Sequence, residues 1–292
     1  MTGILRQATP AEEIVWQGMS RAELDVAYDN TSAVAESGAF LADWTRRSLM
    51  LRASQPELID LAYGPRERNR IDVFRSGVEN APLFVFIHGG YWQRNSRQVF
   101  SCMAEGLLPH GIDVACLGYT LAPEARLGEI VDEIGEALRW LRRMGPAFGI
   151  AQNRLIVSGW SAGGHLAANA MAMTEVDAGL AISGVFDLEP IRLGVLNDKL
   201  KLQPGEVARL SPLSTLPEAA GPLVVAYGTA ELPELQRQSS VYGKAWRSNG
   251  LAGTLLPVEG ANHFSILEQL RNQDGVLAVA ARTLSGRQVP AP

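Results

Sequence analysis

The chain has few cysteines, no basic stretch and no long apolar run, and each shortage excludes a class of protein. Its 292 residues include two cysteines, Cys102 and Cys116, and neither has a neighbour at metal-binding or redox spacing. A disulfide-rich secreted module is therefore excluded, and we expect a cytoplasmic protein without disulfides. Met1–Ser20 carries acidic residues instead of the apolar core of a signal peptide, and no apolar run is long enough to span a bilayer.

Charge and length exclude further classes. The formal net charge is −5 and the basic residues form no stripe, so we expect neither nucleic acid nor an anionic membrane surface as a partner. With 47% hydrophobic residues the chain can bury one large core, and we expect residues 1–292 to form a single domain. The sequence leaves the oligomeric state open, with a homodimer as one arrangement.

Short apolar runs alternate with segments of helical periodicity, which predicts an α/β fold with a mostly parallel central sheet and helices on both faces. The first two strands alternate in polarity across a short link, so we expect them to pair antiparallel at one edge. Besides the strand at the serine turn described below, strands are expected at 58–63, 71–74, 82–87, 112–117, 178–183, 223–227 and 254–258. Helices are expected at 99–108, 130–141, 164–173, 235–248 and from about 265 onward.

Two segments lie outside this alternation. Residues 1–55 are expected to be helical, with a capping box at Ser20 and Glu23, and to form a partial cap. These helices either pack on the main domain alone or also roof the site. Residues 189–215 contain three prolines and no clear period, which predicts an irregular excursion.

A serine lies at a sharp turn between a strand pattern and a helix pattern. An apolar run from Leu155 enters Gly159-Trp-Ser-Ala-Gly163, and a small, helix-favouring run follows from Gly164 to Met173. A nucleophile elbow strains its serine backbone, and larger side chains two residues away would collide with it. A G-x-S-x-G string alone is weak, but this placement predicts Ser161 as a nucleophile.

A serine hydroxyl needs a base within hydrogen-bond reach, and the chain offers four histidines. His88 ends a buried strand and His110 lies at an ordinary helix end. His165 lies on the helix after the serine, where it should face away from the nucleophile. His263 lies in a loop after the last strand, where open α/β sheets form their ligand crevice. We therefore predict His263 as the base.

The base needs an orienting carboxylate, which should come from another such loop. Glu231 and Glu234 follow the strand that ends at Tyr227, and Asp187 follows the strand that ends near Ser183. Glu231 is our first choice for the acid. Asp187 and Glu234 remain alternatives, and Glu234 also suits the start of a helix.

Glycines and aromatic residues complete the candidate site. His88-Gly-Gly90 ends a strand that should adjoin the elbow, so the amides of Gly89, Gly90 and Ala162 are predicted to form an oxyanion hole. The alternative for the two glycines is a tight turn. Five aromatic residues are candidates for a substrate pocket, although each could also belong to the core: Tyr91, Trp92, Trp160, Phe186 and Phe264.

Together these motifs resemble the α/β-hydrolase superfamily, and within it the kynurenine formamidase (arylformamidase) branch, which is similar to the hormone-sensitive-lipase-like esterases. The resemblance covers most of residues 20–270 and implies Ser161 as nucleophile, His263 as base and Glu231 as acid, at a position where the family usually has aspartate. The order serine, acid, histidine is that of the α/β-hydrolases. The resemblance rests on 27–30, Trp44, Arg52, 88–92, 159–165, 183–188, 228–239 and 262–264.

These features predict a serine hydrolase that cleaves a small acyl group, formyl or acetyl, from an aryl amide or ester without a metal or organic cofactor. The small acyl group is expected because Tyr91 stands where lipase-type enzymes have a third glycine, and the bulky Tyr91-Trp92 pair would narrow the acyl side of the pocket. A short-chain carboxylesterase without formamidase activity is the alternative. A hydrolase-fold receptor that binds a small ligand without turnover is a third reading.

Overall fold

A computed structural model describes residues 13–151 and 153–287. The first 12 residues of the segment predicted to be helical, and most of the stretch examined for a signal peptide, lie outside the described residues. The strands are β1 (Ile14–Trp16), β2 (Met19–Ser20), β3 (Leu61–Ala62), β4 (Arg70–Phe74), β5 (Leu83–Ile87), β6 (Asp113–Leu117), β7 (Leu155–Trp160), β8 (Ala178–Ile182), β9 (Leu223–Gly228) and β10 (Gly253–Val258). The α-helices are α1 (Arg21–Ala27), α2 (Ser37–Ser54), α3 (Arg97–Phe100), α4 (Leu127–Met144), α5 (Ala162–Ala170), α6 (Glu189–Leu193), α7 (Asn197–Leu200), α8 (Pro204–Leu210), α9 (Pro233–Ser248), α10 (Glu268–Arg271) and α11 (Val276–Leu284).

Eight strands form one sheet in the order β10-β9-β8-β7-β5-β6-β4-β3. Strands β5 to β10 pair in parallel, and β4 pairs antiparallel with both β6 and β3 at the edge. The prediction of a mostly parallel sheet with an antiparallel front edge is therefore confirmed. Crossover helices between parallel strands impose this arrangement, since parallel neighbours cannot be joined by a tight turn.

Strand β5 shows how the core divides between the two faces of the sheet. All five of its side chains are buried, as expected of a strand covered on both sides. Leu83, Val85 and Ile87 belong to the cluster that packs against α4 and α9. Phe84 and Phe86 belong to the opposite cluster, which includes Trp44 of α2 and apolar residues of α11. Alternation along the strand thus places helices on both faces.

The N-terminal segment is only partly helical. Residues 14–20 form a short antiparallel ribbon that turns at Gln17 and Gly18, both with positive φ, so the prediction of helix there is wrong. The predicted capping box is present: the Ser20 amide donates to Glu23 Oε2 (2.8 Å), and the Glu23 amide donates to Ser20 Oγ (3.4 Å). Helix α1 begins directly after it.

Two other expectations need correction. The segment 189–215, predicted to be irregular, forms the three short helices α6, α7 and α8, and buries Ile191, Leu200 and Val207. Helices this short do not show a period in the sequence. The helix predicted over 99–108 is broken, because α3 ends at Phe100 and two 3₁₀ turns follow.

Candidate active site

Ser161 lies between β7 and α5 with φ +58° and ψ −119°. A non-glycine residue rarely adopts positive φ, so this backbone is strained. A side chain at Gly159 would meet the backbone of Gly163, and one at Gly163 would meet the Ile87 carbonyl. The glycines two residues either side of the serine are therefore required by close backbone approach, as the elbow motif predicts.

His263 and Glu231 meet in neighbouring loops. The parallel pairing of β9 with β10 brings the loops after these strands together. His263 Nδ1 lies 3.0 Å from Glu231 Oε2, and both residues are buried. The other carboxylate oxygen accepts from Ser183 Oγ (2.5 Å) and from the Gly228 amide (2.7 Å). One oxygen of Glu231 is thus held by two donors while the other faces the imidazole.

The two alternative acids have other partners. Asp187 Oδ1 accepts from the Glu189 amide (3.0 Å), at the start of α6. Glu234 accepts from Tyr28 Oη (2.9 Å) and pairs with Arg237 (2.8 Å), and Arg237 holds the pKa of that carboxyl below its usual value despite burial. Among the described residues, Glu231 is the carboxylate in hydrogen-bond contact with His263.

Each of the other three histidines has a ring nitrogen beside a backbone carbonyl. Burial lowers the pKa of His88 to about 3, and its Nδ1 lies 2.8 Å from the Gly89 carbonyl. Burial lowers the pKa of His165 to about 4, and its Nε2 lies 2.8 Å from the Leu210 carbonyl. His110 is half-buried, and its Nε2 lies 2.8 Å from the Gln273 carbonyl. These positions agree with their exclusion as the base.

The three residues whose amides are predicted to form an oxyanion hole, Gly89, Gly90 and Ala162, lie close to Ser161. The register of β5 and β7 pairs Ile87 with Gly159, so the glycine turn lies beside the elbow. A Cβ at Gly89 would lie 2.7 Å from the Trp160 carbonyl and 3.0 Å from Ser161 Cβ. Gly90 has φ +119°, which only glycine adopts readily. Ala162 is the first residue of α5, and its amide has no intrahelical acceptor.

A small cavity, here called the serine cavity, has a volume of about 70 Å³ and is lined by both Ser161 and His263. Of the five aromatic residues predicted for the pocket, Tyr91, Trp160 and Phe264 line it. Trp160 also donates from Nε1 to the His263 carbonyl (2.8 Å), which fixes the loop of the base.

The prediction that Trp92 and Phe186 line the pocket is wrong, because both residues lie in the core and do not line the serine cavity. Trp92 is fully buried and packs edge-on against His165, with ring centroids 4.9 Å apart. Phe186 stacks on Tyr242 at 4.3 Å. Aromatic residues in a strand-rich chain serve the core as readily as a pocket, and sequence position does not separate the two uses.

Sequence reasoning assigned no role to Ser183 or to Asn30. Ser183 follows β8 with φ +49° and bonds the Glu231 carboxylate. Asn30 is buried, lines the serine cavity and donates from Nδ2 to Tyr91 Oη (2.7 Å). The short Ser183-Gly turn after a strand was a usable signal for the first. Asn30 had none, since its contact depends on how the N-terminal segment folds over the sheet.

The parallel sheet and the serine elbow give this chain the α/β-hydrolase fold. A family model described as BD-FAE matches residues 71–190. The kynurenine formamidase of Danio rerio is 28% identical over 93% of this chain and 99% of its own length. That of Salmo salar is 29% identical over 92% of this chain and 91% of its own length.

A solved structure is also similar to this chain over most of its length. A proposed thioesterase from Silicibacter sp. matches with a TM-score of 0.79 and 27% identity, covering 88% of this chain and 98% of that chain. Within the superfamily, the chain resembles the kynurenine formamidase branch and the related esterases, and it is a hydrolase of the formamidase and esterase type. No helix in residues 13–151 or 153–287 combines the length and apolar character needed to cross a membrane.

Proposed function

We propose that this chain is a serine hydrolase that removes a small acyl group, formyl or acetyl, from an aryl amide or aryl ester. The observation that carries the proposal is the 3.0 Å contact between His263 and Glu231 beside a cavity that Ser161 and His263 line together. In the proposal these three residues are the base, the acid and the nucleophile.

The reaction follows from these positions as an acyl transfer. Ser161 Oγ attacks the substrate carbonyl while His263 accepts the hydroxyl proton, and Glu231 holds the ring with Nδ1 protonated. In the proposal the amides of Gly89, Gly90 and Ala162 donate to the developing oxyanion. The carbon–nitrogen or carbon–oxygen bond then breaks, and the leaving amine or alcohol takes the proton from His263. Water hydrolyses the acyl-enzyme by the same steps in reverse.

The volume of the serine cavity supports a small acyl group. A cavity of about 150 Å³ holds a benzene molecule, and the serine cavity has about 70 Å³, less than half of that volume. This space favours a formyl or acetyl group over an aromatic acyl group. Tyr91 contributes a wall, as expected for its position in place of a third glycine.

Hydrolysis of an aryl formamide and an aryl acetate by wild type and Ser161→Ala tests the mechanism. We expect kcat to fall by about 10⁴-fold or more in the variant, since removal of a triad member leaves only binding and oxyanion stabilisation. Ser158→Ala is the matched control, because Ser158 lies in β7, the strand that leads to Ser161, and its hydroxyl donates to the Leu180 carbonyl (2.7 Å) instead of lining the cavity. Retained turnover in Ser161→Ala contradicts the proposal.

The carboxylesterase alternative shares the same residues and differs in the leaving group. The esterase relatives favour it as the second candidate. The ratio of formamide to acetate turnover separates the two: measurable Ser161-dependent formamide cleavage supports the first, and ester cleavage alone supports the second. A serine-directed phosphonate probe tests the third reading, a receptor without turnover. Such a receptor should not be labelled at Ser161.

A further inference from the structure

A second cavity, here called the α1 cavity, adjoins the serine cavity. Its volume is about 330 Å³, and it lies beneath α1, between that helix and the segment containing α6 and α7. Tyr91 and Arg94 line both cavities, so the two spaces meet at these side chains. No residue of the proposed catalytic set lines the α1 cavity.

The two cavities differ in volume and therefore suit groups of different size. The serine cavity, at about 70 Å³, has less than half the volume of a cavity of about 150 Å³ that holds a benzene molecule. The α1 cavity, at about 330 Å³, falls within the range of small-molecule sites, about 300–1,000 Å³. An aromatic ring attached to a small acyl group therefore has more room in the α1 cavity than in the serine cavity.

The walls of the α1 cavity favour an uncharged ring. Leu24, Ile191 and Leu196 provide apolar surface from both sides. The carboxylates that also line it accept hydrogen bonds from the backbone: Asp25 Oδ1 from the Val195 amide (2.6 Å), and Asp29 Oδ1 from the Ser32 amide (3.1 Å). An apolar pocket with few free polar groups is typical of a site for a flat hydrophobic ligand.

Tyr91 is held in place between the two spaces. Its hydroxyl donates to the Tyr28 carbonyl (2.7 Å) and accepts from Asn30 Nδ2 (2.7 Å). Its backbone has φ +50°, and its side chain is almost fully buried. A side chain bonded at its tip and packed along its ring does not move aside readily, so Tyr91 is a fixed part of the boundary between the two spaces.

We propose that the α1 cavity binds the uncharged aromatic leaving group of the substrate, while the acyl carbon lies in the serine cavity at the boundary that Tyr91 and Arg94 form. This inference rests on the proposed function and adds the site of the leaving group. Arg94 stands at the shared boundary of the two spaces.

Filling the α1 cavity from either wall tests the inference. Val195 and Val26 line it from opposite sides and are 50% and 70% exposed, so a larger side chain at either position is compatible with folding. We expect Val195→Trp and Val26→Trp each to lower kcat/KM for phenyl acetate by about 10-fold or more, because a blocked apolar pocket loses most of its binding free energy. Methyl acetate has no ring, and its kcat/KM should change by less than about 3-fold.

Val241→Trp is the matched control, since Val241 is exposed on α9 and lines neither cavity. It should leave both substrates unchanged. Phenyl acetate turnover that is unaffected in both cavity variants, or that falls together with methyl acetate turnover, overturns the inference while Ser161-dependent hydrolysis still supports the proposed function. Hydrolysis that does not depend on Ser161 refutes the proposed function and the leaving-group site with it.

Discussion

Replacement of Glu231 with glutamine changes the proposed acid while preserving its size. The Gly228 amide can only donate, and it lies 2.7 Å from Glu231 Oε1, so the glutamine must place its oxygen there. The Ser183 hydroxyl, at 2.5 Å from the same atom, favours that orientation too. The glutamine NH₂ group then faces His263 Nδ1, which lay 3.0 Å from the second carboxylate oxygen.

Two donors cannot face one another, so the His263 ring must adopt the tautomer with its proton on Nε2. In that tautomer the ring cannot accept the proton of Ser161. The analogous change from carboxylate to amide in a serine protease lowers kcat by about 10⁴-fold, and we expect a loss of about 10³–10⁴-fold here, or about 4–5.5 kcal/mol of transition-state stabilisation.

Steady-state hydrolysis of phenyl acetate measures the effect, with thermal unfolding as a check that the variant is folded. Glu234→Gln is the matched control, because it makes the same chemical change three residues along, in a side chain that bonds Tyr28 and Arg237 instead of His263. The control should retain kcat within about 3-fold, as expected for a residue that is not part of the reacting set. If Glu231→Gln keeps more than about a tenth of wild-type kcat, the tautomer argument is refuted.

Three further predictions follow from contacts near and away from the site. Ser183→Ala should lower kcat about 10-fold at unchanged KM, since a hydrogen bond to the Glu231 carboxylate is lost and the Gly228 amide remains. Asp72→Asn should lower the free energy of unfolding by about 3–5 kcal/mol in urea titrations, because Asp72 is fully buried and its charge is paired with two arginines. Burial depresses the pKa of His88 to about 3 and of His165 to about 4, so both take up protons on unfolding below their ordinary value of 6.5, and stability should fall by about 1.4 kcal/mol per pH unit for each ring as pH drops from about 6.5 to 4.

Each of these three predictions would be contradicted by a specific result. A Ser183→Ala variant that changes KM alone would place the serine in substrate binding instead of in support of the acid. An unchanged urea midpoint for Asp72→Asn would mean that the buried charge is dispensable. Stability that is constant between pH 6.5 and 4 would mean that the two histidines are accessible to protons in the folded protein.

The succession of strands and crossover helices along the chain was predictable, because each element carries its own periodicity. The five residues of β5 read as a doubly covered strand, and the pattern over 130–141 as an amphipathic helix; both appear, as β5 and α4. The short helices α6, α7 and α8 were not predictable, because a helix of four to seven residues has no period and is stabilised by tertiary packing.

The candidate site divides in the same way. Ser161 and its flanking glycines could be identified because the elbow is a local structure, in which residues two apart constrain one another. The sequence favoured Glu231 as the carboxylate that contacts His263 but left Asp187 and Glu234 as alternatives. Glu231, Glu234 and Asp187 all follow strands that end at the same edge of the sheet, and only the loop conformations give the contact to Glu231.

The sequence by itself therefore determined the parallel sheet and the serine turn, because both depend on patterns within a few residues. The tertiary structure decided which acid meets the imidazole, which aromatic side chains line a cavity and which lie in the core, and where the space beside Tyr91 opens. These depend on distances between segments far apart in the chain, such as α1 and the loop after β5. Long-range packing sets those distances, and local periodicity carries no information about them.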